Sequence, residues 1–348
     1  MTKETEKISL KQTEYWYALD AVKGILIIAV FLGHIIPGVL RETFPRYLIY
    51  SFHMPIFIGI SGFLLNLDKM DMRVDRLISK YWKRMLGPWI IAVCVFYIVN
   101  NLGGDLTVRS FLSAFAYPFY HLWFILGYIS YLIILCVLWV MFRKLSNAYG
   151  CILIVATIIS LASKWELLIG NTLINGILDM VHYNFRLYNF IFFVIGVYFR
   201  HVIQRSNQNY ILKKIWIYRI ATIILVLITV LLFFYGNDNV EKLMYFVLNV
   251  PLLITVLDFT ISNSSIRCRW LEFLGQYSLP IYLYHVLCKF FAGYFGVEGS
   301  PMYYIVTIIL FILECIAVYL LRNIPVINRY ILGSQSQSLK NDRRTLKN

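Results

Sequence analysis

Acidic residues are scarce in this chain, 18 Asp and Glu against 32 Lys and Arg in 348 residues, and all charged types together reach only 14%. A soluble domain carries about 25% charged residues, so an ordinary water-facing surface is excluded. Cysteine is sparse too. Cys94, Cys136, Cys151, Cys268, Cys288 and Cys315 lie in or beside apolar runs, and no C-x-x-C pair occurs. They read as small buried hydrophobes, and neither a disulfide framework nor a metal site is expected. No glycine-rich phosphate loop of the Walker type occurs, which disfavours ATP chemistry. A cleavable signal peptide is not expected, because the first apolar run is too long and has the wrong flanks. There is no internal repeat, and nothing of low complexity before the polar tail from Ser334.

What the chain does have is apolar length. Hydrophobic residues make up 60%, in repeated runs of about 20, the length that spans a bilayer as helix. The expected spans lie near 17–38, 47–66, 84–100, 121–142, 148–163, 185–200, 215–235, 243–261, 277–294 and 302–322. The fold class is therefore an all-α polytopic membrane protein of about ten transmembrane helices. With the N-terminus cytoplasmic, only Arg41, Arg46, Arg109, Lys164, Arg186 and Lys242 fall on the outer side, and Lys289 falls within a span. Every other basic residue is inside. That asymmetry sets the orientation, with both termini cytoplasmic. It also accounts for the formal charge of +14 without a nucleic-acid partner. The expected organisation is a tail at 1–16, one transmembrane domain at 17–322 and a basic tail at 323–348. The 26 Tyr and eight Trp suit interfacial belts.

The run LDAVKGILIIAVFLGH, Leu19 to His34, carries ionisable groups where a membrane helix normally excludes them. Eleven residues make three turns plus about 20°, so Lys23 and His34 share one face about 16 Å apart along the axis. Asp20, one turn before Lys23, joins that stripe, although Asp20 and Lys23 also suit an interface, where Lys snorkels to water. The second span opens SFHMPIFIGISGFLL and puts His53 at a depth similar to His34. Pro55, Gly59, Ser61 and Gly62 permit a kink and close helix approach. Basic residues crowd Asp68 to Trp89, among them Lys83 and Arg84; they serve as a topology signal or as a clamp for a phosphorylated cytosolic ligand. His121, beside Trp123, lies where a belt residue is expected. His285 and Lys289 share a face of the ninth span. Glu314 lies at about the depth of His285, which suggests a structural His–Glu pair or a relay.

These blocks resemble the membrane acyltransferase 3 family, the integral O-acyltransferases of bacterial sugars and polysaccharides. A basic residue, ten intervening residues and a histidine form that family's first-helix signature, and Lys23 to His34 has this spacing, with Lys where Arg is common. FHMPIFIGISGFLL, KRMLGPW, HLWFILGY and SLPIYLYH are similar to successive family blocks in the same order, and in particular to those of the fucose 4-O-acetylase-like branch. The resemblance runs from Tyr17 to about Arg322. It implies acyl transfer, usually of acetyl, from cytosolic acyl-CoA to a sugar hydroxyl, with acyl-CoA as co-substrate and no bound cofactor. It places the essential histidine at His34 and a donor-binding cation at Lys23, with Lys83 and Arg84 on the donor-side loop. A point-charge Lys lacks the bidentate fork of Arg.

The residues themselves fit this chemistry. A donor held among Lys23, Lys83 and Arg84 would reach along the seam to His34, acting as general base or as a transient acyl carrier. His53, Ser61, His121 and Trp123 are candidates to orient the acceptor or stabilise the oxyanion. Expected partners are acyl-CoA, a sugar or polysaccharide acceptor and the bilayer of the cell membrane. A glycan-intermediate transporter is the rival reading, since it too needs polar groups within spans. Paired, broken half-helices, which a transporter would favour, are not evident in the sequence.

Overall fold

A computed structural model describes residues 16–36, 38, 40–67, 79–102, 104, 107–165, 172–205, 209–264, 266–297 and 300–333, with backbone only at 172–178, 204–205 and 209–214. The expected N-terminal tail up to residue 15, most of the basic loop from Asp68 and the tail from Ser334 lie outside the described residues.

Every element among the described residues is helical. In order they are α1 (Tyr17–Ile35), α2 (Phe44–Phe63), a π-helical turn (Trp82–Leu86) running into α3 (Gly87–Asn100), α4 (Val108–Ala116) and α5 (Trp123–Phe142). Next come α6 (Ala148–Lys164), α7 (Thr172–Phe185), α8 (Phe190–Arg205), α9 (Asn209–Tyr235) and α10 (Asp238–Ser262). The chain closes with α11 (Arg269–Gln276), α12 (Ser278–Tyr284), α13 (Val286–Tyr294), α14 (Pro301–Leu321) and α15 (Pro325–Tyr330). Each expected span falls on one or two of these helices. Among the described residues six helices are long and apolar enough to cross a membrane, or seven if a bent pair in α7 and α8 is one crossing. The chain is a helical, multi-pass membrane protein. Ile223, Leu227 and Leu231 of α9 and Ile308, Ile309 and Ile312 of α14 are exposed. Large apolar side chains on the outside of a long helix are what lipid, not water, accepts.

Two of the expected spans are divided between helices. The ninth expected span divides into α12 and α13 at His285, and α7 meets α8 at a bend of 42°. The sequence reading missed these half-helices because proline and glycine do not mark either point: His285 and Arg186 do. Carbonyls freed by a break inside a membrane need donors. At the first break histidine side chains supply them, as described below.

Glycines set the closest helix approaches. A Cβ on Gly275 would collide with the Asp20 carbonyl oxygen, and one on Gly24 would collide with that of Leu271. Thus α11 lies backbone to backbone on α1. In the same way Gly196 of α8 meets the Gly59 carbonyl of α2, and Gly62 meets that of Phe193, each too closely to admit a Cβ. Small residues permit this approach between membrane helices, where packing and not water drives association. Ile58, Ile60, Leu122, Ile125, Phe190, Phe192 and Phe193 fill the core between these pairs.

Candidate active site

Four histidines far apart in sequence meet at one place. His34 ends α1, His53 lies in α2, His121 precedes α5 and His285 sits at the α12–α13 break. The His34 ring centroid is 5.1 Å from that of His285 and 6.4 Å from that of His121, and the last two are 5.3 Å apart. Tyr50 Oη and His34 Nδ1 share a hydrogen bond of 3.2 Å. The Tyr50 ring lies 5.1 Å from that of His53, and Tyr120 lies 5.2 Å from His34. The equal depth expected of His34 and His53 is realised through Tyr50, which stands between them.

Backbone carbonyls fix three of the four imidazoles. His53 Nδ1–H donates to the Ile49 carbonyl at 2.6 Å. His285 Nδ1–H donates to the carbonyls of Tyr282, at 2.8 Å, and Ile281, at 3.2 Å. His121 Nε2–H donates to the Leu283 carbonyl at 3.1 Å. The last turn of α12, whose carbonyls lose helical partners at the break, is thereby capped by two imidazoles. A neutral imidazole that donates from one nitrogen presents a lone pair on the other. His121 Nδ1 and His285 Nε2 are such atoms, buried and with no partner among the described residues. His53, His121 and His285 are at most 4% exposed, whereas His34 is only partly buried. Of the four, His34 is the one a ligand can reach. Its reachable ring beside orphaned acceptors is equipped to take up and pass on a proton.

The other candidates distribute as follows. Trp123 is buried, and the Arg186 guanidinium lies over its indole, 4.3 Å from the centroid. Lys23 Nζ contacts Asp20 Oδ1 at 3.1 Å, so the opening residues of the seam form an ion pair one turn apart. Lys83 and Arg84 are exposed and lie on the π-helical turn, a backbone irregularity found frequently at functional sites. No described hydrogen bond or ion pair joins them to Lys23. Ser61 lies two turns along α2 from His53, about 12 Å by helical rise. Its hydroxyl donates to the Phe57 carbonyl at 2.9 Å, so it does not join the histidines. The expected His285–Glu314 pair is not made. The Tyr282 carbonyl takes the His285 donor, and Glu314 Oε2 instead accepts from Cys288 Sγ at 3.5 Å.

Three further residues, Tyr50, Tyr120 and Arg186, are not candidates from the sequence, where Arg186 counts only as an outer-side basic residue. Tyr50 lies one turn before Met54 and three residues before His53, a spacing that places it on the histidine's face. Tyr120 adjoins His121. Arg186 carried no signal: it has φ +42° and ψ +53°, the one non-glycine with positive φ among the described residues. That conformation costs a long side chain about 1 kcal/mol. It is pinned from both sides. Arg186 N–H donates to the His182 carbonyl at 3.2 Å. Its own carbonyl accepts from Tyr131 Oη at 2.9 Å and from Asn189 N–H at 3.0 Å. Among the described residues no group of three or more His, Cys, Asp or Glu is arranged to hold a metal ion.

Comparison with known proteins assigns this framework. The acyltransferase domain family designated Acyl_transf_3 matches residues 16–320. A stretch of 54 residues is 50% identical to Nodulation protein NolL of Sinorhizobium fredii (strain NBRC 101917 / NGR234), covering 14% of this chain and 15% of that protein. The match thus spans about a seventh of that relative's length. No solved structure matches the chain significantly.

Proposed function

The chain belongs to the acyltransferase 3 family, and we propose that it is an integral membrane O-acyltransferase of the fucose 4-O-acetylase-like branch. It moves an acyl group, acetyl above all, from cytosolic acyl-CoA to a hydroxyl of a cell-surface or lipid-linked sugar. The observation that carries this reading is the placement of His34, a reachable imidazole among three carbonyl-anchored ones, eleven residues from Lys23 on the same helix. The protein lies in the bacterial plasma membrane with ten spans and both termini cytoplasmic. The domain boundaries are 17 and 322.

In this reading the nucleotide end of the donor rests among Lys23, Lys83 and Arg84, and its pantetheine arm follows the seam. The thioester then lies at His34. His34 removes the proton from the acceptor hydroxyl as its oxygen attacks the thioester carbon. The tetrahedral intermediate collapses with cleavage of the C–S bond. The departing CoA thiolate takes the proton back from the imidazolium, so His34 ends neutral. Tyr120, whose ring flanks His34, supplies a hydroxyl for the developing oxyanion.

The test is reconstitution in proteoliposomes with acetyl-CoA and sugar acceptors, reading CoA release and acetylated product by mass spectrometry. Product formation that depends on His34 supports the enzyme. Acceptor movement across the bilayer without CoA release supports the transporter, for which the two broken spans are the favouring observation. Orientation is checked with single cysteines at Lys340 and Asn171, both outside the described residues, which are expected to label from opposite sides.

A further inference from the structure

We propose that Arg186 and Trp123 form an anion subsite for the acceptor, which is an acidic carbohydrate bearing a carboxylate or a phosphate. This rests on the acyltransferase reading and names the substrate class for it.

The first ground is charge without a counter-charge. Arg186 is half-buried, and no acid pairs with it among the described residues. Arg46 is the other cation at the site. Its Cζ lies 5.4 Å from the Tyr50 centroid, and its Nη1 donates to the Ile36 carbonyl at 2.8 Å and to the Gly38 carbonyl. Among the described residues no ion pair joins an Asp or Glu to Arg186 or to any of the four histidines. A half-buried guanidinium with no paired acid among the described residues is complementary to an anionic ligand.

Geometry supplies the second ground. The guanidinium plane is engaged by the Trp123 indole at 4.3 Å, which leaves edge N–H groups for the planar, bidentate pairing that carboxylate and phosphate accept. Arg186 stands over Trp123, two residues along the chain from His121, whereas Arg46 lies over Tyr50, the hydrogen-bond partner of His34. Arg186 is thereby placed at the Trp123 side of the site. It suits an anion some atoms away from the acylated hydroxyl better than the oxyanion itself.

Backbone strain is the third ground. Arginine occupies a left-handed position that glycine or asparagine would take more readily. Three hydrogen bonds hold it there, at the bend between α7 and α8. Strain kept in place by its surroundings is found at ligand clamps, and here it fixes where the guanidinium emerges.

The experiment compares glucose, glucuronate and glucose 1-phosphate as probes. Binding is read by thermal shift of the detergent-purified full chain, and acetyl transfer by product formation in proteoliposomes. Glucuronate, glucose 1-phosphate or both are expected to stabilise the wild type where glucose does not. Arg186→Gln is expected to weaken that effect about ten- to a hundredfold, the loss typical of a charge-assisted bond. Its KM for the anionic acceptor should rise by a similar factor, with kcat and donor-only hydrolysis little changed. Arg186→Lys should recover part of the affinity and Arg186→Gly none, although glycine relieves the strain and should keep the fold. Which anion responds separates a sugar acid from a sugar phosphate. Equal response to all three probes, or a loss in Arg186→Gln confined to kcat, would overturn the subsite. Anion binding that needs Arg186 in a protein that never releases CoA would sink the enzymatic reading and leave the subsite standing.

Discussion

Asn249 on α10 supplies the hydrogen bond that Pro55 on α2 cannot. Proline has no N–H, so the carbonyl four residues back, that of Ser51, loses its helical donor. Asn249 Nδ2 donates to that oxygen at 2.8 Å, from a side chain with no solvent exposure, and also to its own Tyr245 carbonyl at 2.7 Å. The proline turn of α2, which carries His53, is thereby tied to a second helix. Asn249→Leu is expected to cost about 1–2 kcal/mol of stability in detergent. In a Pro55→Ala background the backbone regains an N–H that can serve the Ser51 carbonyl, and the same substitution should cost distinctly less. Thermal unfolding of the four proteins measures the coupling, and simple additivity would detach Asn249 from Pro55.

The glycine contacts make a prediction about packing. Gly196→Ala would drive a methyl group into the Gly59 carbonyl oxygen, a contact relieved only by parting α2 from α8. Overpacking of this kind typically costs about 1–3 kcal/mol. Among the described residues a Cβ on Gly104 meets only the Asn101 carbonyl, at an ordinary 3.7 Å, and Gly104→Ala serves as the neutral control. Equal melting temperatures for the two variants would mean that the helices are not held this closely.

The helical membrane class was legible from hydropathy, and the 3.6-residue period alone put Lys23 and His34 on one face of α1. Tertiary facts were not. Carbonyl acceptors for His121 and His285 arise only once α12 is broken, and a break at Leu-Tyr-His carries no glycine or proline flag. Arg186 has an unremarkable sequence context, and its left-handed backbone is a product of Tyr131 and Asn189 closing on it. Glu314 shows the reverse case. Equal depth suggested a pair with His285, but depth along an axis says nothing about azimuth, and Cys288 occupies its carboxylate.

On the donor side the Asp20–Lys23 pair modifies what removal of charge should do. Lys23→Ala leaves a buried Asp20 without that cation, so a fall in stability accompanies any effect on donor binding. Asp20→Asn is the cleaner variant: releasing Lys23 for a phosphate should lower the KM for acyl-CoA. Lys83→Ala and Arg84→Ala, at exposed positions of the π-helical turn, should raise it several-fold while leaving the acceptor KM unchanged. Lys23→Arg should retain function. If steady-state kinetics show normal donor KM for all of these variants, the donor does not bind at this end.

The most direct measurement is acyl transfer by His34→Ala in proteoliposomes, with acyl-CoA binding followed in the same preparation. Loss of a general base typically costs about 10²–10⁴-fold in rate. That loss is expected here with folding intact, because among the described residues His34 is linked through a single side-chain hydrogen bond, to Tyr50. Donor binding should survive, since Lys23 lies about 16 Å along the helix. Moving the histidine to position 32 or 36 should not restore transfer, because two residues turn it about 160° off the seam. Turnover near that of the wild type in folded His34→Ala protein would contradict the assignment of His34 as the base and place the chemistry elsewhere.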